Sequence, residues 1–282
     1  MKDFKNKVVV ITGAGSGIGR ALAILFAKNG AKLALNDFKV STLNETCALA
    51  KKEGAEVFET SFDVSSKEAM KKFADDVVNH FGQADVVVNN AGIGLGDYSV
   101  HEVDLNLFER VMNINFYGVL YGSHYFVPHL LKRPEAALVN ISSVFGLTGI
   151  GKSGAYCASK FAVHGLNQCL WNEYADTNLT VHSVHPGGIN TNITQNSLDY
   201  NTAGDTAMHD AFQKEFLKLT PDYAASVIID GIKIKKKKIL IGDEARQLDF
   251  VTRFFPLWGN GYINKMIQQK FEALGLKPRS QL

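Results

Sequence analysis

The sequence predicts an α/β protein: a single domain over residues 1–282 in which a doubly wound parallel sheet carries helices on both faces. Three observations support this class. Short segments rich in Val, Leu and Ile alternate with longer amphipathic segments along the chain. The apolar segments lack the polar alternation of half-exposed strands, which is typical of strands buried on both faces. No repeat, low-complexity segment or linker divides the chain. Repeated strand–helix alternation favours a doubly wound sheet.

Each element of this prediction has its own signal. Seven apolar segments are predicted strands, at residues 7–11, 32–36, 56–60, 85–89, 137–142, 180–185 and 238–241. The predicted helices between them cover residues 17–29, 41–53, 66–81, 107–131, 155–177 and 221–234. Gly30 and Gly54 provide helix stops, because glycine adopts the left-handed conformation that ends many helices. Ser66, followed by Glu68, provides a helix start.

Two parts of the chain depart from the alternation. Residues 188–219 are long, polar and irregular before a helical pattern resumes, and residues 244–282 extend beyond the last predicted strand. Excursions of this length are usually functional loops or binding elements. We therefore predict a substrate-loop region in the first segment and a C-terminal extension in the second, with a surface elaboration as the alternative.

Composition excludes several classes of function. The formal charge is +2, from 30 Lys and Arg and 28 Asp and Glu, which argues against nucleic acid as the main partner. Three cysteines without a C-x-x-C pair indicate a reducing compartment. The eight histidines form no metal-binding motif, so no metal site is predicted. Without a signal peptide or a membrane-spanning run, we expect a soluble, cytoplasmic protein.

A glycine-rich segment, Thr-Gly-Ala-Gly-Ser-Gly-Ile-Gly at residues 12–19, follows the first predicted strand and opens the first predicted helix. Glycine lets the backbone turn tightly and approach a pyrophosphate, and the helix N-terminus offers free N–H groups with partial positive charge. The flanking strand and helix make this signal far more specific than glycines alone. We predict a dinucleotide-binding loop, with cofactor contacts from Gly13, Ser16, Gly17, Ile18 and Gly19.

Asp37 ends the second predicted strand, 20 residues after Gly17. A carboxylate at this position can accept hydrogen bonds from the adenosine ribose hydroxyls, and it would repel a 2′-phosphate. Neither Ser16 nor Phe38, which flank the expected pocket, is basic. NAD is therefore the predicted cofactor. NADP stays open because Lys39 lies one step further on, and a turn cap is the alternative role of Asp37.

Tyr156 and Lys160 lie four residues apart in a predicted helix and so share one face. A phenol titrates near pH 10, so we expect the lysine ammonium, together with a cationic nicotinamide ring, to lower the pKa of Tyr156. Alone, such a pair is typical of a solvated helix face. Ser143, however, ends the fifth predicted strand 13 residues upstream, where its hydroxyl can donate to a substrate oxygen. Asn115 is a polar amide in an apolar helix and needs partners if buried.

These features together resemble the short-chain dehydrogenase/reductase family. The resemblance covers about residues 5–242 and rests on a set of motifs in order and spacing: Thr-Gly-x-x-x-Gly-x-Gly, Asp63-Val64, Asn89-Asn90-Ala91-Gly92, Asn115, Ser143, Tyr156-x-x-x-Lys160 and Pro186-Gly187. It implies a one-domain Rossmann fold, a homodimer or homotetramer, and hydride transfer to or from a carbonyl carbon. With no catalytic motif missing, a non-catalytic, cofactor-sensing protein is the disfavoured alternative.

The resemblance also implies a role for each matching residue. Tyr156 would be the general acid/base, and Lys160 would lower its pKa and bind the nicotinamide ribose. Ser143 would orient the substrate oxygen in preference to Ser142, and Asn115 would hold a water that links Lys160 to solvent. Further cofactor contacts are implied for Asp63 and Val64 at the adenine, for Asn89, Ala91 and Gly92 after the fourth strand, and for Pro186, Gly187, Ile189 and Thr191 after the sixth.

Within this resemblance, three loops would select the substrate, at residues 92–101, 144–155 and 188–219. The middle loop carries no charge before Lys152, and no arginine is present in these loops to bind a carboxylate or phosphate. We therefore predict an alcohol or ketone that is apolar or bulky near its reacting carbon, such as a lipid, steroid or aromatic-like compound. An NADPH-dependent ketone reductase is the alternative.

The strongest charge cluster is Lys233 with residues 235–238. Cations suit a helix C-terminus without any ligand, so a solvated helix end is the favoured interpretation. The alternative joins this cluster to the aromatic residues of segment 250–258 in a peripheral membrane contact. For that segment we prefer an extra packing element at a subunit interface or over the substrate pocket.

Overall fold

The computed structural model describes residues 1–95, 98–191, 193 and 217–273. Within these residues, seven parallel strands form one sheet with the order β3-β2-β1-β4-β5-β6-β7. The strands are β1 (Val8–Thr12), β2 (Lys32–Asn36), β3 (Val57–Thr60), β4 (Val86–Asn89), β5 (Ala136–Ile141), β6 (Leu179–Pro186) and β7 (Lys238–Ile241). The predicted seven-stranded, doubly wound parallel sheet is therefore confirmed, and each strand lies within about two residues of its predicted position.

Helices cover both faces of this sheet. The α-helices are α1 (Gly17–Lys28), α2 (Val40–Lys52), α3 (Lys67–Phe81), α4 (Leu105–Met112), α5 (Gly118–Leu130), α6 (Gly154–Glu173), α7 (Pro221–Lys233), α8 (Asp243–Phe254) and α9 (Pro256–Ala273). One core lies on the face of α1, α2 and α7, with Leu22, Phe26 and Ile228 fully buried. The second core lies on the face of α3, α5 and α6, around Phe73 and Phe126.

The strand order places the functional edge. From β1 the strand order continues to one side through β2 and β3, and from β4 it continues to the other side through β5, β6 and β7. Ligands of doubly wound sheets bind at the switch point between two such halves, here between β1 and β4. Register pairs Ile11 with Val88, and Val88 with Val139. The carboxyl ends of β1, β4 and β5 therefore meet at one edge of the sheet.

Two helical segments differ from their predictions. The predicted helix at residues 107–131 is interrupted by a π-helical turn, Asn113–Tyr117, which separates α4 from α5. A π turn inserts one extra residue per turn without losing the apolar period, so periodicity alone does not reveal it. The segment after β7, predicted only as an extension, forms α8 and α9, whose aromatic residues are largely exposed rather than packed in the core.

Candidate active site

The glycine-rich loop after β1 is a tight turn that packs against two other segments. Gly13 and Gly17 have backbone φ values of +65° and +53°, which residues other than glycine rarely adopt. A Cβ atom on Gly13 would lie 2.7 Å from the Ala91 Cα, and one on Gly17 would lie 3.1 Å from the Thr191 methyl carbon. The structure thus brings three predicted cofactor segments together, although they lie far apart in the sequence.

Asn90 and Thr12 hold this loop in place. The Asn90 side-chain amide donates to the Thr12 and Gly13 carbonyl oxygens at 3.0 Å each. The Thr12 hydroxyl in turn accepts from the backbone N–H groups of Asn90 and Ala91, at 3.1 and 3.2 Å. Neither residue has a role predicted from its own sequence signal, apart from the doubled asparagine of the Asn-Asn-Ala-Gly segment.

The N-terminus of α1 fits a pyrophosphate. Ser16 makes no side-chain cap hydrogen bond there, and the first turn, which includes Ile18 and Gly19, contains no acidic residue. The N–H groups of that turn are therefore not used by a side-chain cap and can bind anionic oxygens.

Asp37 lies against the same loop. Its carboxylate accepts hydrogen bonds from the Gly15 and Lys39 N–H groups at 2.8 Å each. A Cβ atom on Gly15 would lie 2.8 Å from the Asp37 Oδ2. A carboxylate offers about four acceptor positions, so Asp37 can cap this turn and still accept from a ribose diol. The predicted dinucleotide role and the alternative turn cap are therefore compatible.

Asp63 and Val64 follow β3 and anchor a neighbouring helix. The Asp63 carboxylate pairs with Arg110 of α4 and accepts from the Ser65 hydroxyl at 2.7 Å. Burial opposes ionisation of Asp63, but hydrogen bonds from Ser65 and Arg110 outweigh it and lower the pKa of Asp63. Val64 is buried against Gly118, where an added Cβ would lie 2.8 Å from a Val64 methyl carbon. Their predicted contacts with adenine stay predictions.

The Asn89 side chain faces the interior of the sheet. Its amide nitrogen donates to the Asn140 side chain at 2.8 Å, and Asn89 is 2% exposed. The side chain therefore serves β4 and β5, and a cofactor contact by Asn89 stays a prediction. Gly92, three residues later, faces the catalytic candidates instead. A Cβ atom on Gly92 would lie 3.2 Å from the Asn115 Oδ1 and 3.4 Å from the Lys160 Nζ.

The segment after β6 runs along the same edge. Gly187 donates from its backbone N–H to the Ile241 carbonyl at 2.9 Å, immediately after Pro186 ends β6. Ile189 is buried and forms an isolated parallel bridge with Leu219. Most of the predicted substrate-loop region, at residues 192 and 194–216, lies outside the described residues.

The four catalytic candidates meet at the carboxyl edge of β5. Asn115 lies in the π-helical turn, is fully buried, accepts from the Ile93 N–H at 2.9 Å and donates to the Ser159 hydroxyl at 3.1 Å. Lys160 is 3% exposed and donates to the Ile141 carbonyl at 3.1 Å. Its Nζ lies 5.6 Å from the centroid of the half-buried Tyr156 ring.

The two candidate serines have different partners. The Ser142 hydroxyl donates to the Lys160 carbonyl at 2.8 Å and is thus committed to the helix backbone. The Ser143 side chain instead acts on Tyr156, where it lowers the pKa of the phenol against the effect of burial. Its hydroxyl also accepts from the Phe145 N–H at 3.1 Å. The geometry therefore agrees with the 13-residue spacing in favouring Ser143.

Burial dominates the electrostatics of these groups. It raises the pKa of Tyr156 to about 12, and the hydrogen bond with Ser143 offsets this only in part. Burial also lowers the pKa of Lys160 to about 8. The expected lowering of the Tyr156 pKa by Lys160 is therefore not met by the protein alone, because removal from water disfavours both charged forms. Tyr156 needs additional positive charge nearby to ionise around neutral pH.

Two of the predicted substrate loops lie together beside Tyr156. The backbone N–H of Tyr98 donates to the Lys152 carbonyl at 3.0 Å. A small cavity between the loops is lined by Leu95, Tyr98, Val103, Phe108 and Ala155, among others. The Phe145 ring stands edge-on to Tyr156, with centroids 5.8 Å apart. One side of the Tyr156 ring thus faces an apolar aromatic residue of the loop at residues 144–155.

The C-terminal helix α9 is attached to the loop at residues 144–155. Asn260 accepts from the Thr148 hydroxyl at 2.7 Å. Asn264 accepts from the Gly151 N–H at 3.0 Å and donates to the Gly149 carbonyl at 2.9 Å. The extension therefore packs on a predicted substrate loop, and its place at a subunit interface or over the substrate pocket stays a prediction.

The lysine cluster at the end of α7 forms ion pairs with other parts of the chain. Lys235 is exposed beyond the end of α7 and pairs with Glu135 at 2.8 Å, as expected of a solvated helix end. Lys238 instead begins β7 and forms a largely buried ion pair with Asp249. Over the described residues, no helix is both long and apolar enough to span a bilayer. The same part of the chain holds no group of three or more His, Cys, Asp or Glu side chains placed to bind a metal ion.

The chain is similar to known oxidoreductases over most of its length. The profile of a family described as short chain dehydrogenase matches residues 7–201. The putative oxidoreductase SadH of Mycobacterium tuberculosis (strain H37Rv) is 38% identical over 264 residues, which cover 93% of this chain and 94% of that protein. The cyclohexanol dehydrogenase of Acinetobacter sp. (strain SE19) is 38% identical over 193 residues, or 67% of this chain and 75% of that enzyme.

A solved structure extends the likeness to the whole fold. The short-chain dehydrogenase/reductase of Burkholderia phymatum, solved in complex with NAD, has a TM-score of 0.82 and 28% identity, and the alignment covers 100% of this chain and 99% of that one. The segment matched by the family profile includes every catalytic candidate and the glycine-rich loop. The chain therefore belongs to the short-chain dehydrogenase family of oxidoreductases.

Proposed function

We propose that this protein uses NAD(H) to interconvert an alcohol and a ketone whose reacting carbon carries apolar or bulky groups, with Tyr156 as the general acid/base. The observation that carries the proposal is the meeting of Ser143, Tyr156 and Lys160 with the glycine-rich loop at one edge of the sheet. The NAD complex of the Burkholderia relative supports the cofactor. The Acinetobacter relative, named for a cyclic apolar alcohol, supports the substrate class.

Each residue of the site has a chemical task. When bound, NAD would accept a hydride from the carbinol carbon in oxidation, and NADH would donate a hydride to the carbonyl carbon in reduction. Ser143 donates a hydrogen bond to the substrate oxygen and stabilises the negative charge that develops there. Tyr156 takes the hydroxyl proton during oxidation and returns it during reduction. Lys160 and the positive charge of an oxidised nicotinamide favour the phenolate that burial alone opposes.

Asn115 connects this chemistry to solvent. Its Oδ1 accepts one hydrogen bond from Ile93, and an amide oxygen has a second lone pair. The Gly92 backbone beside it leaves room between Asn115 and Lys160, since a Cβ there would lie within 3.4 Å of both side chains. A water bound to this lone pair would pass a proton between Lys160 and solvent.

The decisive test is Tyr156→Phe, which removes only the phenolic hydroxyl. We expect turnover in an alcohol screen with NAD to fall by about 10³-fold or more, because the proton has no acceptor. NADH affinity, measured by fluorescence titration, should stay within a few-fold of wild type, since the ring and Lys160 remain. Activity close to wild type in this variant would overturn the proposed mechanism.

A further inference from the structure

His185 touches the backbone of the serine that faces the substrate. It lies near the end of β6, is fully buried, and its Nδ1 is 3.0 Å from the Ser143 carbonyl oxygen. A carbonyl oxygen only accepts, so Nδ1 carries the proton and donates it to this bond. The Ser143 peptide is therefore held by a side chain from the neighbouring strand.

The orientation of the His185 ring is set by a row of buried polar side chains. Ser183 lies 2.9 Å from the His185 Nε2, and Asn167 donates to the Ser183 hydroxyl at 3.0 Å. Asn140 donates to Asn167 at 2.8 Å, and Asn89 donates to Asn140 at 2.8 Å. Because the Ser183 oxygen already accepts from Asn167, its own proton is free to donate to His185. The row thus keeps Nδ1 protonated and pointed at Ser143.

This row of polar side chains crosses the centre of the sheet, where removing polar groups from water costs free energy. Asn89, Asn140 and Ser183 occupy paired positions on β4, β5 and β6, and all three are at most 2% exposed. Burying amides and hydroxyls is unfavourable unless they are hydrogen-bonded, and apolar side chains would fill the same space without that cost. What the polar row provides is direction: it holds one tautomer and one orientation of His185.

We propose that His185 is a positioning residue for Ser143, holding its peptide so that the hydroxyl faces Tyr156 and the substrate oxygen. The inference rests on the proposed function, since it assigns Ser143 that role. Ser143 is held from two sides, by His185 at its carbonyl and by the Phe145 N–H at its hydroxyl. A displaced hydroxyl weakens substrate orientation and also the hydrogen bond that lowers the pKa of Tyr156.

His185 acts as a neutral donor and not as a proton carrier. Burial lowers the pKa of His185 to about 3. The groups packed near it are His164 of α6, whose ring centroid is 4.7 Å away, and the pair of Lys238 of β7 and Asp249 of α8. The ring therefore stays uncharged across the working pH range.

His182 offers a matched control on the same strand. It is also fully buried, and its Nδ1 lies 2.8 Å from a backbone carbonyl oxygen, that of Lys236. This carbonyl lies before β7, away from the catalytic edge. Replacing either histidine removes a buried imidazole and its Nδ1 hydrogen bond to a backbone carbonyl oxygen. Replacing His185 also removes the bond with Ser183, and only His185 contacts Ser143.

The experiment compares His185→Phe with His182→Phe. We expect both to lower the melting temperature, because each removes a buried hydrogen-bonded imidazole. His185→Phe should also reduce kcat roughly 10- to 100-fold at saturating substrate, with NADH affinity changed by no more than about twofold. His182→Phe should leave kcat within about twofold of wild type. In the pH profile of alcohol oxidation, His185→Phe should move the rising limb to higher pH, because a displaced Ser143 no longer lowers the pKa of Tyr156. The other ionisable neighbours of Tyr156, Lys160 and Cys157, are the same in this variant as in the wild type.

A third variant keeps the test informative if His185→Phe folds poorly. His185→Gln retains an N–H donor near the Ser143 carbonyl and should recover at least half of the lost log kcat, roughly 3- to 10-fold. Equal kcat losses in the His182 and His185 variants, or a wild-type kcat and pH profile in His185→Phe, would overturn this inference. Wild-type turnover in Tyr156→Phe overturns the proposed function itself, whatever the histidine variants show.

Discussion

Asp37 links the stability of the glycine-rich loop to the choice of cofactor. Its carboxylate accepts from Gly15 and Lys39, so the side chain would be ordered before any ligand binds. Phe38 beside it is 74% exposed and offers no positive charge to a 2′-phosphate. A pre-ordered carboxylate at this position therefore favours the ribose diol of NAD.

We predict that Asp37→Asn reduces the preference for NADH over NADPH. The amide oxygen can still accept one backbone bond, but the charge that strengthens the bonds from the ribose and repels a phosphate is lost. NADH affinity should fall about tenfold and NADPH affinity should rise, as measured by fluorescence titration with both cofactors. Lys39→Ala is the control for NADH affinity, because Lys39 contributes only its backbone N–H to Asp37. Unchanged NADH affinity in Asp37→Asn would show that Asp37 is only a turn cap.

At the scale of elements, the π-helical turn between α4 and α5 matters most for the site. It carries Asn115, whose amide bonds to both the N–H and the C=O of Ile93. These two bonds attach the helix to the loop after β4, next to Gly92. Bulges of this kind recur at functional sites because they redirect one side chain without ending the helix.

Helix α5 approaches the sheet closely at a glycine. A Cβ atom on Gly122 would lie 2.0 Å from the Asn89 Oδ1, too close for any side chain. We predict that Gly122→Ala lowers the free energy of unfolding by about 1–3 kcal/mol, because the added methyl group forces α5 away from the Asn89 side chain. Gly165→Ala on α6 is the matched control, since no atom lies within 4 Å of its added Cβ.

In the control, alanine should raise stability by about 0.5–1 kcal/mol through its higher helix propensity. Urea unfolding of both variants measures the difference. A Gly122→Ala variant as stable as wild type would mean that α5 does not pack this tightly on Asn89.

At the scale of the whole molecule, the interior is sensitive to acid. Burial lowers the pKa of both His182 and His164 to about 4, and that of His185 to about 3, from an ordinary 6.5. Between these values the unfolded chain binds more protons than the folded one. Stability is therefore complete above pH 6.5 and is lost progressively as the pH falls towards 4.

We predict that the free energy of unfolding falls between pH 6.5 and 4.5 by about 1.4 kcal/mol per pH unit for each fully buried histidine. Urea unfolding at several pH values measures the slope of the free energy of unfolding against pH. In His182→Phe this slope should be smaller by the contribution of one histidine, about 1.4 kcal/mol per pH unit. A slope that is the same in wild type and His182→Phe would contradict neutral burial of His182. Most carboxylates titrate below this window, so they do not obscure the result.

The assembly of this protein into a homodimer or homotetramer stays a prediction, which follows from its resemblance to the short-chain dehydrogenase/reductase family. Large apolar residues of α8 and α9 are exposed to solvent, among them Phe254 (61%), Leu257 (90%) and Trp258 (65%). Single exposed apolar residues need no explanation, but a row of them on two consecutive helices is unusual for a monomer surface.

Much of this protein was predictable from sequence because the signals are local. Strand and helix positions follow from apolar periodicity, and the glycine-rich loop follows from backbone conformations that only glycine adopts readily. The pairing of Tyr156 with Lys160 follows from helix geometry, and the role proposed for Ser143 follows from its place at the end of a strand. None of these inferences depends on what packs against the residue.

Only the tertiary structure decided the remainder, because desolvation and long-range contacts depend on neighbours distant in sequence. Burial raises the pKa of Tyr156 where the spacing of Lys160 alone suggested a lowering. Packing turns the Asn89 side chain into the sheet and brings α9 onto the loop at residues 144–155. It also places His185 against Ser143, 42 residues away, which no local pattern could indicate.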